Sequence, residues 1–399
     1  MSKALFINML GDGHVNPTLG LVEELIKRGE QVIYLANEDF REKIEKTGVK
    51  FKGYKTSLNI NSLGDINNSS ETENIQILLD LRMESFKEIT KAVFKEKEKF
   101  DYVIYDSAFM LGEEIGKALN IPTVCSISTF ATNNNIKINK ISSHLDKLET
   151  FMLNSNYMNI VKEIEEAYGI KFPHITNMFK VKGMLNIVYT SRYFQPNAEE
   201  FDESYKFIGS SIIDRAEHIS FPFEKLDNKR VIYIALGSIF NNCVEFYEKC
   251  FKAFEDMDDV QVIMSIGIYL DIDIFKYIPK NFIVRNYIPQ LEVLKYADVF
   301  ITHGGMNSTN EGFYYNVPLI LIPQSVDQPF VASRVAKLGA GIIIEKDKIT
   351  PELLKGSVIK VLSDKNFRLN SEKIGQSLRK AGGYKKGVDE ILKLINFQI

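Results

Sequence analysis

The most constraining feature of this chain is a pattern that recurs in both halves: an apolar run, a glycine-bearing turn, then a helix with one apolar face. Ala4 to Met9 form the first run, compact as in a strand buried on both faces of a parallel sheet. Gly11, Asp12 and Gly13 make the turn. Asn16 is placed to cap a helix with Pro17 at its first position. Leu19, Val22, Leu25 and Ile26 line its apolar face, and Gly29 follows as a C-cap. Val32 to Leu35 then read as a strand, and Glu38 to Lys46 as a helix stopped at Gly48. Strands that alternate with helices pair in parallel through right-handed crossovers, so the expected class is α/β.

A loop rich in Asn and Ser occupies 59–70, and a long helix is expected from Glu73 to Glu98. Strands are expected at Tyr102–Tyr105, Pro122–Ser126 and Ile187–Tyr189. Between Asn133 and Tyr168 no strand is evident, and Ile160, Ile164 and Ala167 fall at helical spacing. An insertion of this kind shapes a pocket or covers the sheet. The alternation restarts in the second half, with strands at Val231–Ala235, Val260–Ser265, Phe282–Val284, Val299–Thr302, Leu319–Ile322 and Gly341–Ile344. Helices are expected at Glu245–Phe254, Leu291–Tyr296, Asn307–Tyr315, Gln328–Leu338 and Pro351–Leu362.

A length of 399 residues suggests two to three domains. The expected division is a first domain over 1–212, a linker over 213–229, a second domain over 230–380, and a C-terminal helix over 381–399 that packs back on the first domain. The linker is rich in Asp, Glu, Pro and Lys without periodicity. Two such halves imply a cleft, and ligands of open α/β sheets bind outside the carboxyl ends of the strands.

Composition removes other classes. Lys+Arg is 49 against Asp+Glu 52, so there is no basic excess to hold nucleic acid. Cys125, Cys243 and Cys250 form neither a disulfide framework nor a zinc motif, which fits a reducing cytoplasm. No stretch approaches the ~20 apolar residues of a membrane helix. A cytoplasmic protein without stable membrane insertion is expected.

The motifs that carry chemistry fall at strand-to-helix turns. Thr302-His303-Gly304-Gly305-Met306-Asn307-Ser308-Thr309 follows an apolar run ending at Ile301. Two glycines let backbone approach a ligand closely, and the amides of the following helix start make an anion site. Asn307 and Ser308 can cap that helix, His303 can donate to a phosphate, and Glu311 can accept from sugar hydroxyls. For a Gly-Gly pair alone, a plain turn is the commoner explanation. A lipase-type oxyanion motif would need a G-x-S-x-G elbow, which the chain lacks. Gly11-Asp12-Gly13 has Asn16 where a dinucleotide fingerprint carries glycine. Asp271-Ile272-Asp273 mimics a metal-binding D-x-D pair, but such a pair is usually a solvated turn.

His14 follows a strand and precedes a helix start, where the dipole disfavours the imidazolium and keeps the ring a neutral base. Asp106 also ends a strand. Taken singly, each is more often a packing or turn residue. Parallel strands bring their carboxyl ends to one rim, so the two can meet, with Asp106 fixing the tautomer and stabilising the protonated ring.

Together, Tyr287-Ile288-Pro289-Gln290, His303-Gly304-Gly305-Met306-Asn307-Ser308, Glu311, Val317-Pro318 and Asp327-Gln328 resemble the signature of UDP-glycosyltransferases. Gly13-His14-Val15-Asn16-Pro17 resembles the start of the bacterial macrolide- and flavonoid-type members. The likeness covers nearly the whole chain, and its C-terminal signature is the more specific part. It implies the GT-B fold: two Rossmann-like domains, parallel sheets flanked by helices, facing across a cleft. It implies inverting transfer of a hexose, glucose the expected one, from a UDP-sugar to a small lipophilic hydroxylated acceptor, with no cofactor and no metal. The UDP-sugar is then a co-substrate.

By the same resemblance, His14 is the general base and Asp106 its partner. Tyr287 stacks on uracil, where plant members carry Trp, and the Ile288 and Gln290 region meets the base through backbone. Glu311 binds ribose, while Ser238, His303, Gly305, Asn307 and Ser308 hold the pyrophosphate. Asp327 and Gln328 bind the hexose. The chain departs from the plant pattern at Met306, and it has Val331 where many members have Asn. The acceptor pocket is expected within 55–80 and 127–180. Phe109 and Phe130 are candidate lipophilic contacts there, although core packing accounts for them equally. Three rivals stay open: a UDP-sugar 2-epimerase of the same architecture, a non-catalytic nucleotide-sugar-binding protein, and a transferase acting on membrane lipid. For the last, Lys137, Lys140 and Lys147 would meet headgroups.

Overall fold

The computed structural model describes residues 2–54, 71–133, 151–152, 154–174, 177, 180–213, 220–226, 228–237, 241–324 and 327–396, with backbone alone at 71–78. Ser238, the Asn/Ser-rich loop, Lys137, Lys140, Lys147 and linker residues 214–219 and 227 lie outside these residues.

The chain divides into two compact units. The first comprises Met1–Tyr189, Asn197–Ser211 and Gly382–Ile399, the second Thr190–Pro196 and Ile212–Ala381.

In the first unit, β1 (Lys3–Ile7), β2 (Gln31–Asn37), β3 (Lys50–Tyr54), β4 (Tyr102–Asp106), β5 (Thr123–Ile127), β6 (Leu185–Val188) and β7 (Tyr205–Phe207) form one sheet in the order β3-β2-β1-β4-β5-β6-β7. Every pairing is parallel. The helices are α1 (Asp12–Lys27), α2 (Arg41–Glu45), α3 (Glu71–Lys95), α4 (Gly112–Leu119) and α5 (Ser155–Tyr168). Leu5, Ile7, Ile33, Val103 and Tyr105 of the sheet pack with Met83, Phe86 and Ile89 of α3 and Ile115 of α4 in one core. Each fully buried aliphatic or aromatic side chain there contributes about 1.5–3 kcal/mol relative to exposure.

In the second unit, β8 (Arg230–Ala235), β9 (Val260–Ser265), β10 (Phe282–Arg285), β11 (Val299–Thr302), β12 (Leu319–Leu321) and β13 (Gly341–Ile343) run in the order β10-β9-β8-β11-β12-β13, again all parallel. The helices are α6 (Val244–Phe254), α7 (Gln290–Leu294), α8 (Met306–Tyr314), α9 (Gln328–Lys337), α10 (Pro351–Ser363) and α11 (Lys365–Lys380). Phe246, Cys250 and Phe254 of α6 and Leu354 and Val358 of α10 cover Ile232, Ile234, Val262, Met264 and Ile301.

The last helix, α12 (Gly383–Asn396), belongs to the first unit. A Cβ added to its Gly387 would lie 2.8 Å from Leu21 Cδ1 of α1, and Asp389 accepts from Arg28 at 2.8 Å. Residues 190–196 belong to the second unit. There Arg334 donates to the Phe194 and Tyr193 carbonyls at 2.9 and 2.8 Å, and Phe194 meets Phe313 edge-on.

In both sheets the strand order reverses beside the first strand, between β1 and β4 and between β8 and β11. Crossovers leave in opposite directions at such a point, which opens a crevice at the carboxyl ends. Ile7 pairs with Tyr105 and Ala235 with Thr302, so the critical turns emerge side by side. Among the described residues, no helix is long and apolar enough to cross a membrane.

Candidate functional site

The first unit assembles its polar residues at the β1/β4 reversal. Helix α1 starts at Asp12, with Gly11 as its N-cap at φ 132°, rather than after Asn16. His14 therefore lies within the first turn, and Pro17 sits inside the helix. Pro17 removes the amide that would meet the Gly13 carbonyl. Asn8, fully buried after β1, donates to the His14 carbonyl at 3.2 Å and to Tyr34 Oη at 2.5 Å, pinning that turn.

His14 Nδ1 donates to Asp106 Oδ2 at 2.6 Å. Ser128, just past β5, places its hydroxyl 3.2 Å from the same nitrogen. An ionised carboxylate only accepts, so Nδ1 carries the proton and Nε2 the lone pair. Asp106 is the last residue of β4 and 2% exposed, and its Oδ1 accepts from the Ala108 amide at 2.7 Å. The arrangement can take a proton at Nε2 and balance the resulting charge.

Phe109 is fully buried, edge-on to Phe86 at 5.4 Å between centroids, and Phe130 is 2% exposed. Both side chains are buried, as their apolar area favours.

The second unit assembles the other group at the β8/β11 reversal. Helix α8 follows β11 with Gly305 as N-cap and no side-chain cap, so Asn307 and Ser308 do not cap it. Amides at the helix start are left for an anion. The His303 ring lies against backbone on two sides. A Cβ on Gly237 (φ +82°) would come within 2.7 Å of its Cε1, and one on Gly305 would collide with Nε2. Burial lowers the His303 pKa to about 4, so the ring is neutral near pH 7 and donates from one nitrogen only.

Glu311 lies one turn into α8 and is 1% exposed. Gln290 Nε2 donates to its Oε2 at 2.6 Å, and Asn307 Nδ2 donates to its Oε1 at 2.9 Å. Gln290 Oε1 in turn accepts from Tyr233 Oη at 3.1 Å. Gln290 thus works through its side chain, beyond the backbone role expected of it. Tyr287 is 49% exposed, as a stacking platform requires, whereas Ile288 is buried. Asp327 is the N-cap of α9, and Gln328 Oε1 accepts from the Gln324 amide at 2.7 Å.

Asp271 accepts from the Asp273 amide at 3.0 Å, capping a short turn. Among the described residues, no three His, Cys, Asp or Glu side chains cluster to hold a metal. Sequence reasoning missed Ser128, Asn8 and Tyr233, because a lone Ser, Asn or Tyr in an apolar run carries no signal until the sheet pairs its strands.

The model of the erythromycin biosynthesis protein CIII-like C-terminal domain matches residues 253–381. The Bacillus subtilis (strain 168) protein described as "Uncharacterized UDP-glucosyltransferase YojK" is 37% identical, covering 99% of this chain and 98% of its own length. The NDP-glycosyltransferase YjiC of the same organism is 34% identical over 96% of this chain and 95% of its own. The crystal structure of CalG4, the calicheamicin glycosyltransferase, superposes with a TM-score of 0.84 at 25% identity, covering 99% of this chain and 98% of that one. These three carry transferase names. The order of strands, the turns at both reversals and this kinship agree: the chain belongs to the bacterial UDP-glycosyltransferases of the GT-B fold.

Proposed function

We propose that this enzyme transfers a hexose, glucose in the first instance, from its UDP-sugar to a hydroxyl of a small lipophilic acceptor such as a macrolide or flavonoid, with inversion at the anomeric carbon. The observation that carries the reading is the 2.6 Å contact of His14 Nδ1 with Asp106 Oδ2 at the β1/β4 reversal. A hydroxyl is a weak nucleophile near pH 7. His14 Nε2 takes its proton as attack proceeds, and Asp106 stabilises the imidazolium. Attack from the face opposite the leaving group inverts the centre.

In this reading the second unit holds the donor. Tyr287 stacks on uracil, Glu311 binds ribose hydroxyls, and Ser238, His303, Asn307, Ser308 and the Gly305 turn hold the pyrophosphate. Asp327 and Gln328 bind the hexose. As the glycosidic bond breaks, negative charge grows on the β-phosphate. Helix amides and a neutral His303 donor serve that charge, so a resident cation is not needed. A chain with only Cys125, Cys243 and Cys250, and no disulfide framework among them, fits work in a reducing cytoplasm.

The test incubates the full chain with UDP-glucose and a panel of phenolic and macrolide aglycones, read by mass spectrometry. A gain of one hexosyl residue on an aglycone, of inverted configuration by NMR, is expected. UDP release without sugar on any aglycone would contradict the reading.

A further inference from the structure

The turn after β4 is held from two sides. Ala108 donates its amide to Asp106 Oδ1 at 2.7 Å, and its carbonyl accepts from Arg82 Nη2 of α3 at 2.5 Å. One residue thus joins the carboxylate that orients His14 to a guanidinium. That guanidinium also lies over the Phe86 ring, 5.6 Å from Cζ to the centroid. Its Nε is buried with no hydrogen-bond partner among the described residues. Leaving a buried donor on a cation unmatched is costly, so the charge calls for an electrostatic partner. Asp106 is that partner: its field favours the cation, although burial pulls the Arg82 pKa down from its ordinary value. A guanidinium starts so high that it stays charged.

Four other described groups on which Asp106 acts are neutral near pH 7. Tyr34 on β2, Tyr54 on β3, Cys125 on β5 and Tyr189 after β6 all have their titration pushed up, mainly by burial. Ser128 beside His14 is an uncharged hydroxyl. Among these described neighbours, Arg82 is the fixed positive charge.

Building on the reading of His14 as base, we propose that Arg82 is a positioning residue for the dyad: it fixes the Asp106 turn through Ala108 and keeps the imidazole neutral before attack by offsetting the carboxylate's pull on a proton. Asp106 alone would draw a proton onto His14, and a protonated ring cannot act as base. The nearby cation opposes that protonation while leaving the tautomer in place.

The experiment follows the His14 imidazole resonances by NMR through a pH titration of the full chain. Wild type is compared with R82Q and R82K, and H14N identifies the signal among the five histidines. R82Q keeps a donor for the Ala108 carbonyl but no charge. Its His14 midpoint is expected to rise by about one pH unit. The acid limb of kcat/KM should rise with it, and kcat at neutral pH should fall about two- to fivefold with the UDP-sugar KM unchanged. R82K keeps the charge and should hold the midpoint near wild type. An unmoved midpoint in R82Q overturns the proposal, as does an R82K midpoint that rises like that of R82Q. Should R82Q fail to fold, shown by amide dispersion in the same spectra, the R82K midpoint decides. The midpoint is read without acceptor or turnover. Undiminished transfer by H14N alongside a moved R82Q midpoint would therefore sink the base assignment, and with it the role of Arg82 in catalysis, while leaving the coupling itself measured.

Discussion

His14 and Asp106 lie 92 positions apart in sequence, yet His14 Nδ1 donates to Asp106 Oδ2 at 2.6 Å. The contact exists because β1 and β4 are neighbours in the sheet, Ile7 beside Tyr105, and each strand ends on the turn that carries one partner. Asp106→Asn keeps the shape but replaces the anionic acceptor with an amide that can present its own donor. Turnover with any accepted aglycone should fall by roughly 10²–10⁴-fold while the fold is kept. Steady-state kinetics beside circular dichroism check this, and near-normal turnover would remove Asp106 from the chemistry.

His303 makes acid stability predictable in sign. Its folded pKa of about 4 lies below the ordinary 6.5, so the unfolded chain binds a proton first as pH falls. Stability from this residue is complete above pH 6.5 and declines between 6.5 and 4. The loss should amount to about 3 kcal/mol. Denaturant midpoints of wild type and H303Q across that window test it: the variant should lose this part of the acid sensitivity. Parallel pH curves would contradict it.

Gly237 faces the same ring. Its φ of +82° and the 2.7 Å approach of a Cβ to His303 Cε1 leave no room for a side chain. Gly237→Ala should cost about 1–3 kcal/mol and weaken UDP binding about tenfold or more. Thermal unfolding and calorimetric titration with UDP measure both. A variant as stable and as tight as wild type would show that the ring has room to move.

Glu311 is held by two amide donors, from Gln290 and Asn307. Glu311→Gln sets a donor against a donor at one of them and removes the charge a ribose would meet. The UDP-sugar KM should rise about tenfold with kcat little changed. An equal fall in kcat would place Glu311 in the chemical step instead.

Much of this was legible in the strand-to-helix turns. The apolar runs at β8, β9 and β11 match the sheet closely, because strands buried on both faces read as unbroken hydrophobic stretches. Strand β3 was hidden, since Lys50, Lys52 and Gly53 interrupt its apolar residues, and β7 is only Tyr205–Phe207, partly exposed at the sheet edge. Pro17 is a strong helix-start signal and places the start of α1 after Asn16. Here it lies inside a helix that begins at Asp12. Phe109 and Phe130 mark the opposite limit: an aromatic residue after a strand reads alike whether it faces a ligand or the core, and both are buried.

The role of His14 as base is tested by comparing wild type with His14→Ala in two measurements on the same preparation: UDP affinity by calorimetry and single-turnover sugar transfer to an accepted aglycone. UDP affinity is expected to stay within about twofold of wild type, with transfer slower by roughly 10²–10⁴-fold. Transfer at the wild-type rate, or affinity and transfer falling together, would contradict it.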